Sequence, residues 1–323
     1  MKKNLLFIVL CALISTATYG ATLKRTYLLH DGNLTQYDAN VWQQAITDAV
    51  AGDIVYFTAG MFEGDLVIDK AITLIGAGVG ETEAFYYNTD IASVYAGCGT
   101  SGESTYLNGN VTIAIPSSVT LTKPLMEGFR MHDQKFIKVT EPVTGLTIKR
   151  CQLTSESSIF AEETVTNFTL ENCYASKLDC RNMVSPTVRN CYLESIEYVP
   201  EVAQIRNSII IWINNCPNCT FTNCGYENLQ NSSYNTFVNC LYRDGDGNSS
   251  YTNCSQVELP RTLTKAQLTE NNYLGDDGTV IGPLGGTAPF TLIPSQPSVT
   301  TDNITYNSTT KKLNVSLTVK QGK

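Results

Sequence analysis

Charge is scarce in this chain: Asp, Glu, Lys and Arg together make up 16% of its 323 residues, against about 25% in an average soluble protein. The little charge present leans acidic, with 22 Lys and Arg against 30 Asp and Glu. That balance is a poor footprint for nucleic acid, which asks for a basic face, although basic residues could still cluster locally. It also disfavours a polyanionic partner unless a cation or a local basic patch intervenes. Histidine is nearly absent, at two residues. Beyond residue 20 no apolar run is long enough to cross a bilayer as a helix. What remains is ordinary in apolar content, at 42%, so a sizeable core can be buried.

Residues 1–20 read as a secretory signal peptide. Lys2 and Lys3 form the positive region, the apolar stretch from Leu5 to Ile14 is too short to span a membrane, and a cut before Ala21 follows Gly20. Leu10 before Cys11 argues against lipid attachment there. Removal of Lys2 and Lys3 leaves 20 basic against 30 acidic residues, a net charge of −10. The expectation is a secreted or cell-surface protein.

The stretch from Asn40 to Gly78 is dense in signals. Asn40 with Gln43 has the form of a capping box, and Trp42, Ala45, Ile46, Ala49 and Val50 recur at helical spacing before Gly52. Short strands are predicted over Asp53–Phe57, Leu66–Ile68 and Ile72–Ile75, with turns at Gly60 and Gly64. The run WQQAITDAVAGDIVYFTAGMFEGDLVIDKAITLIGAG resembles the opening of pectin-lyase-like and pectinesterase-like proteins. In those families a helix caps the open end of a right-handed parallel β-helix. The resemblance therefore implies that fold, an all-β solenoid with an N-terminal capping helix.

An imperfect repeat from about Val143 points independently to a solenoid. Its units read GLTIKRCQL, NFTLENCYA, SPTVRNCYL, VAQIRNSII, CTFTNCGYE, NTFVNCLYR and SSYTNCSQ, anchored at Cys151, Cys173, Cys191, Ser208, Cys224, Cys240 and Cys254. The gaps drift through 22, 18, 17, 16, 16 and 14 residues. One such unit cannot bury its own apolar side, whereas stacked units share a continuous core. The predicted organisation is a signal peptide over 1–20 and a parallel β-helix over 21–275, with a surface insertion at 81–110. A Gly/Pro-rich linker and C-terminal β-hairpin or cap, with alternation at Leu313, Val315, Leu317 and Val319, occupy 276–323.

Cysteines at one position of successive rungs would stack about 4.8 Å apart, whereas a disulfide needs Cβ atoms roughly 3.8 Å apart. A ladder of buried free thiols is predicted. Cys98 and Cys180 fall off that ladder, and their pairing is left open. Cys216-Pro-Asn-Cys219 has redox or zinc spacing, but its simpler reading is two rung cysteines across a turn. The asparagines before the ladder (Asn172, Asn190, Asn207, Asn223, Asn239, Asn253) suit left-handed turns, with amides reaching the next rung. Arg150 takes that place in the first repeat.

Catalytic signatures of the resembling families are not found. Galacturonan hydrolases use clustered aspartates, Gly-His-Gly and Arg-x-Lys; here the adjacent aspartates are Asp276 and Asp277, outside the repeat. The paired-aspartate elements of pectinesterases and the Trp-x-Asp-His and Arg-x-Pro-x-x-Arg signatures of pectate lyases are absent too. His132-Asp133 follows an ordinary rung. Lys149, Arg150, Arg181, Arg189 and Arg206 could share one groove and supply a lyase base, against the simpler reading of solvated outward positions. Asp244, Asp246 and Asn248 alternate as in a calcium loop, although Ser249 stands where Gly is expected; otherwise they form a polar turn. Tyr86, Tyr87 and Tyr95 could stack on sugar rings or pack the insertion against the fold. The leading expectation is a non-catalytic exported protein of the extracellular space or cell surface that binds or is displayed near polysaccharide, with no cofactor and calcium as the one candidate ion. The alternatives are a divergent polysaccharide lyase or hydrolase, and a structural or adhesive surface protein.

Overall fold

The computed structural model describes residues 24–79, 104–131, 133–292, 298–307 and 312–320. The insertion tyrosines Tyr86, Tyr87 and Tyr95, together with residues 1–20, Cys98 and His132, lie outside the described residues. The chain coils into a parallel β-solenoid of about nine turns. Two long sheets, of 12 and 13 strands, and a short one of three strands form its walls. The first sheet contains Thr147–Lys149 and its equivalents; the second contains Tyr174–Asp179 and its equivalents.

The core follows from strand alternation, which sends every second side chain inward. Register stacks like on like: Ile148 on Leu170, then Val188, Ile205, Phe221, Phe237 and Tyr251. The first six of these are 0–1% exposed. Toward the C-terminal rungs the column turns aromatic, with Phe221, Phe237 and Tyr251 ring centroids stacked 5.2 and 5.1 Å apart. Stacking identical shapes at a fixed rise is what lets a narrow coil reach close packing.

At the N-terminal end, the hairpin of Arg25–His30 and Asn33–Asp38 extends the first sheet by antiparallel pairing. The helix Trp42–Asp48 then closes the coil. Trp42, Ala45 and Ile46 are buried, with Trp42 edge-on to Phe57 and Phe62 at 5.7 and 6.0 Å. Lys70 donates to the carbonyls of Ile46, Thr47 and Ala49, so a cation sits where the helix dipole is negative. The expected capping box does not form. Asn40 lies inside a 3-10 turn, Ala39–Val41, and the N-cap is Val41. Gln43 is instead drawn to the first rung, where its Nε2 donates to the Asp65 carbonyl at 3.0 Å. A tertiary bond has displaced the local one. Val50, expected on the apolar stripe, is 50% exposed. Between the turns at Gly60 and Gly64 a further strand, Gly60–Glu63, pairs with Thr105–Asn108.

The corner between the two long sheets is the most regular element. Arg150, Asn172, Asn190, Asn207, Asn223, Asn239 and Asn253 all hold positive φ, between 48° and 54° for most and 55° at Asn223. Such a bend turns the next N–H inward, where a buried donor left unpaired is costly. The following rung supplies the acceptor. Cys151 N donates to Cys173 Sγ at 3.4 Å, Cys191 N to Ser208 Oγ at 3.1 Å, Cys224 N to Cys240 Sγ at 3.4 Å and Cys240 N to Cys254 Sγ at 3.3 Å. Each thiol in turn donates to a carbonyl two residues back, as Cys240 does to Val238 at 3.3 Å. The thiols are free, and the ladder is a chain of hydrogen bonds as well as a column of small apolar groups.

The same device recurs at other corners and accounts for Cys216 and Cys219. After the left-handed Tyr198 and Asn215, Val199 N donates to Cys216 Sγ at 3.4 Å and Cys216 N to Ser232 Oγ at 3.0 Å. After Asn218, Cys219 N donates to Asn235 Oδ1 at 2.7 Å. The pair thus belongs to two neighbouring columns. Cys180 is buried beside them and is free. The asparagine amides depart from expectation: those of Asn190 and Asn223 bind the C-terminal segment instead of the next rung. Asn190 Nδ2 donates to the carbonyls of Pro283 and Gly285, and Asn223 Nδ2 to Asp276.

The stacked strands end with Ser255–Gln256. A helix, Lys265–Glu270, follows, opened by a complete capping box of Thr264 and Gln267. Residues 271–292 then run back along the coil over the asparagine corner. Phe290 reaches Tyr192, edge-on at 5.2 Å, and with Leu292 joins Tyr174 and Val79 in a small apolar cluster. Beyond it, Ser298–Asn307 and Lys312–Lys320 pair as an antiparallel hairpin.

The hydrogen-bonding role of the ladder gives a sharp test. Cys240→Ala should cost about 1–3 kcal/mol because it orphans the Cys224 N–H, while Cys240→Ser should retain most of the stability. Chemical denaturation of the two variants checks this; equal losses would reduce the thiol to a space-filler.

Candidate ligand-binding face

The outer face of the first sheet inherits its order from the core. Alternation that sends Ile148 and its equivalents inward sends their neighbours out, and the register aligns those as well. Thr147, Thr169, Thr187 and Gln204 form one outward column, which Thr220, Thr236 and Ser250 continue. The parallel column carries Glu127, Lys149, Glu171, Arg189 and Arg206 in turn and turns neutral at Thr222, Val238 and Thr252. The face is thus a ladder of hydroxyls about 4.8 Å apart, interrupted at Gln204 and flanked by a column of mixed charge.

The segment around Leu121–Pro124 comes beside the charged end of this face. Leu121 N donates to the Thr144 carbonyl at 2.9 Å. Its carbonyl passes so close to Gly145, whose φ is +80°, that a Cβ there would collide with it. The result is a trough of about 350 Å³ lined by Lys123, Thr147, Lys149, Thr169 and Arg189 among others. Glu171 lies between two of its cations, 3.0 Å from Lys149 and 2.6 Å from Arg189, with its side chain 8% exposed. Burial pushes the Glu171 carboxyl up, but the hydrogen bonds and charges of Arg189 and Lys149 outweigh it and hold it below its ordinary value. Lys123 is exposed and has no carboxylate partner among the described residues. The trough therefore carries net positive charge in an acidic protein, and its walls offer hydroxyls and cationic donors.

The basic residues singled out in the repeat do not converge on one groove. Lys149 and Arg189 line the trough, whereas Arg206 is further along the same face and binds Asp276 at 2.7 Å. Arg150 turns at the corner to Glu127 at 2.7 Å. Arg181 pairs with Asp179 and lies 4.4 Å over the Tyr198 ring.

Asp244, Asp246 and Asn248 lie in the turn before the last rung. Asp244 faces Arg243 at 3.0 Å. Asp246 Oδ1 accepts from the Ser249 N–H at 2.7 Å, and its own N–H donates to the Tyr251 hydroxyl at 3.1 Å. These bonds close the turn locally, and the second carboxylate oxygen of Asp246 is buried without a hydrogen-bond partner. Among the described residues no group of three or more His, Cys, Asp or Glu is placed to hold a metal. Burial pushes the thiols of Cys216 and Cys219 up to about 12, which keeps them protonated and unreactive at neutral pH.

Sequence reasoning missed the Leu121–Pro124 wall and the return of residues 271–292. The capping box at Thr264 and Gln267 was a readable signal for the helix that starts that return. Comparison with protein-family models, with curated proteins and with solved structures finds no match. Of what the pectin-lyase-like resemblance implies, the structure supports the parallel β-helix fold, and no family match supports the superfamily.

The depressed Glu171 carboxyl fixes a pH dependence. A carboxyl lowered in the folded state contributes stability above its unfolded value, near about 4, and loses it as pH falls through the folded value. The stability difference between wild type and Glu171→Gln should therefore shrink as pH falls from about 6 to about 3, read by denaturation at each pH. A difference independent of pH would mean that the carboxylate is not held by Lys149 and Arg189.

Proposed function

We propose that this is an exported, non-catalytic β-helix protein that binds polysaccharide along the outer face of the first sheet. The observation that carries the reading is the alignment of Thr147, Thr169 and Thr187 beside the trough of Lys123, Lys149 and Arg189. A regular row of hydroxyls suits an extended chain lying along the coil, whose own hydroxyls can donate and accept at successive rungs. The trough adds charge-assisted donors for a unit bearing negative charge, a local exception to the acidic balance of the whole. Export is supported by the positive and apolar character of residues 1–20. The catalytic alternative draws on Lys149 and Arg189, but both are engaged with Glu171.

The test exposes the mature protein to neutral and uronate-containing polysaccharides, with and without calcium, while retention and new reducing or unsaturated chain ends are followed. Retention without new ends is expected. The double variant Lys149→Gln, Arg189→Gln should bind an acidic polysaccharide about tenfold more weakly or worse, and Glu171→Gln should bind it more tightly. New chain ends would establish an enzyme, and absence of retention on every glycan would favour a protein partner instead.

A further inference from the structure

The outer face of the second sheet holds a different constellation. Tyr106, Arg130, Gln152 and Tyr174 are successive partners across four rungs. Phe129 and Met131 point into the core, so Arg130 between them points out, yet it is only 5% exposed. Gln152 and Thr154 are 0% exposed and Ser176 is 5% exposed. The guanidinium lies 5.2 Å over the Tyr106 ring, and no carboxylate of a described residue is within ion-pairing distance of it. Asp133, on the same face, accepts from the Thr154 hydroxyl at 2.5 Å. Buried and without a hydrogen-bond partner are Arg130 Nε, both amide atoms of Gln152 and the Ser176 hydroxyl.

Such a grouping is costly. An arginine cannot shed its proton to escape burial, and a buried charge without a counter-charge is strongly destabilising. Buried polar groups in folded proteins are otherwise almost always paired. The orphaned groups are mostly donors and surround one cation, so the missing partner is an anion that accepts several hydrogen bonds.

We propose that this face is a binding site for an oxyanion, a carboxylate, sulfate or phosphate group of a ligand. Arg130 is its cation and Gln152 Nε2 and Ser176 Oγ are further donors. Gln152 Oε1 is left to accept from a hydroxyl of the same ligand. The site is independent of the polysaccharide face, which lies on the first sheet. The chain is fastened beside it at two points: Gly78 N donates to the Gly128 carbonyl at 3.1 Å, and Gly60 N to the Ser104 carbonyl at 2.8 Å.

The experiment uses the mature full chain in chloride buffer, with acetate, sulfate or phosphate added at constant ionic strength, and reads the thermal midpoint and binding by calorimetry. At least one oxyanion should bind saturably and raise the midpoint. Arg130→Met should weaken that binding at least about tenfold, as should Gln152→Leu to a lesser degree, while Arg181→Gln, which touches neither face, leaves it unchanged. In chloride alone, Arg130→Met should be as stable as wild type or more so, because it removes an uncompensated charge. If Arg130→Met is clearly destabilised or unfolded in chloride, a carboxylate of the chain itself balances Arg130 and the proposal fails. It fails equally if no oxyanion binds saturably, or if binding survives both Arg130→Met and Gln152→Leu. Loss of binding in Arg189→Gln alone would move the anion to the trough and leave the polysaccharide reading standing.

Discussion

A single backbone donor governs much of this molecule. At the asparagine corner and at the corners of Val199, Cys216 and Cys219, the coil turns through a left-handed residue, the next N–H faces the interior, and the side chain one rung further on accepts it. Only a short side chain with an accepting atom near the backbone can do so. This confines the position to Cys and Ser at the asparagine corner and to Cys, Ser and Asn at the others. Valine is tolerated at Val199 because its side chain is not asked to accept from the residue below: the rung beneath carries Cys180 without an intervening left-handed bend. Sulfur serves where space is tight and water absent, since burial keeps the thiol protonated.

The coil was legible in the sequence because its two strongest signals are local and repeated. An alternating triplet such as Thr147-Ile148-Lys149 followed by a turn residue and a cysteine specifies both the strand and the corner, and repetition marks the register. The capping helix was legible from Trp42, Ala45 and Ile46 for the same reason, a short-range period. The N-cap was not, because Gln43 has a better partner in Asp65, far along the chain. Likewise the asparagine amides could be assigned to a ladder from spacing alone. Their capture by Asp276, Pro283 and Gly285 depends on where a non-repeating segment travels.

The faces follow the same division. The threonine column is implicit in the repeat, yet the trough exists only because residues 121–124, outside any repeat unit, lie against Gly145. The charges of Lys149 and Arg189 were visible as residues, but their shared partner Glu171 emerges only when rungs are placed above one another. The cluster around Arg130 and Gln152 was silent for a similar reason. In sequence each is one polar outward position on its strand, and burial is what makes them a group.

The returning segment changes how such a coil comes apart. A stack of rungs with only neighbour-to-neighbour contacts can fray from an open end one layer at a time. Here the chain leaves the last rung and is fastened again at Asn223 and then, further back, at the corner of Asn190 and Tyr192. Peeling the final layer must therefore tear a fastening attached to layers well inside. The segment works as a stitch along a stack of pages, so that loosening the outermost one strains the binding of the rest.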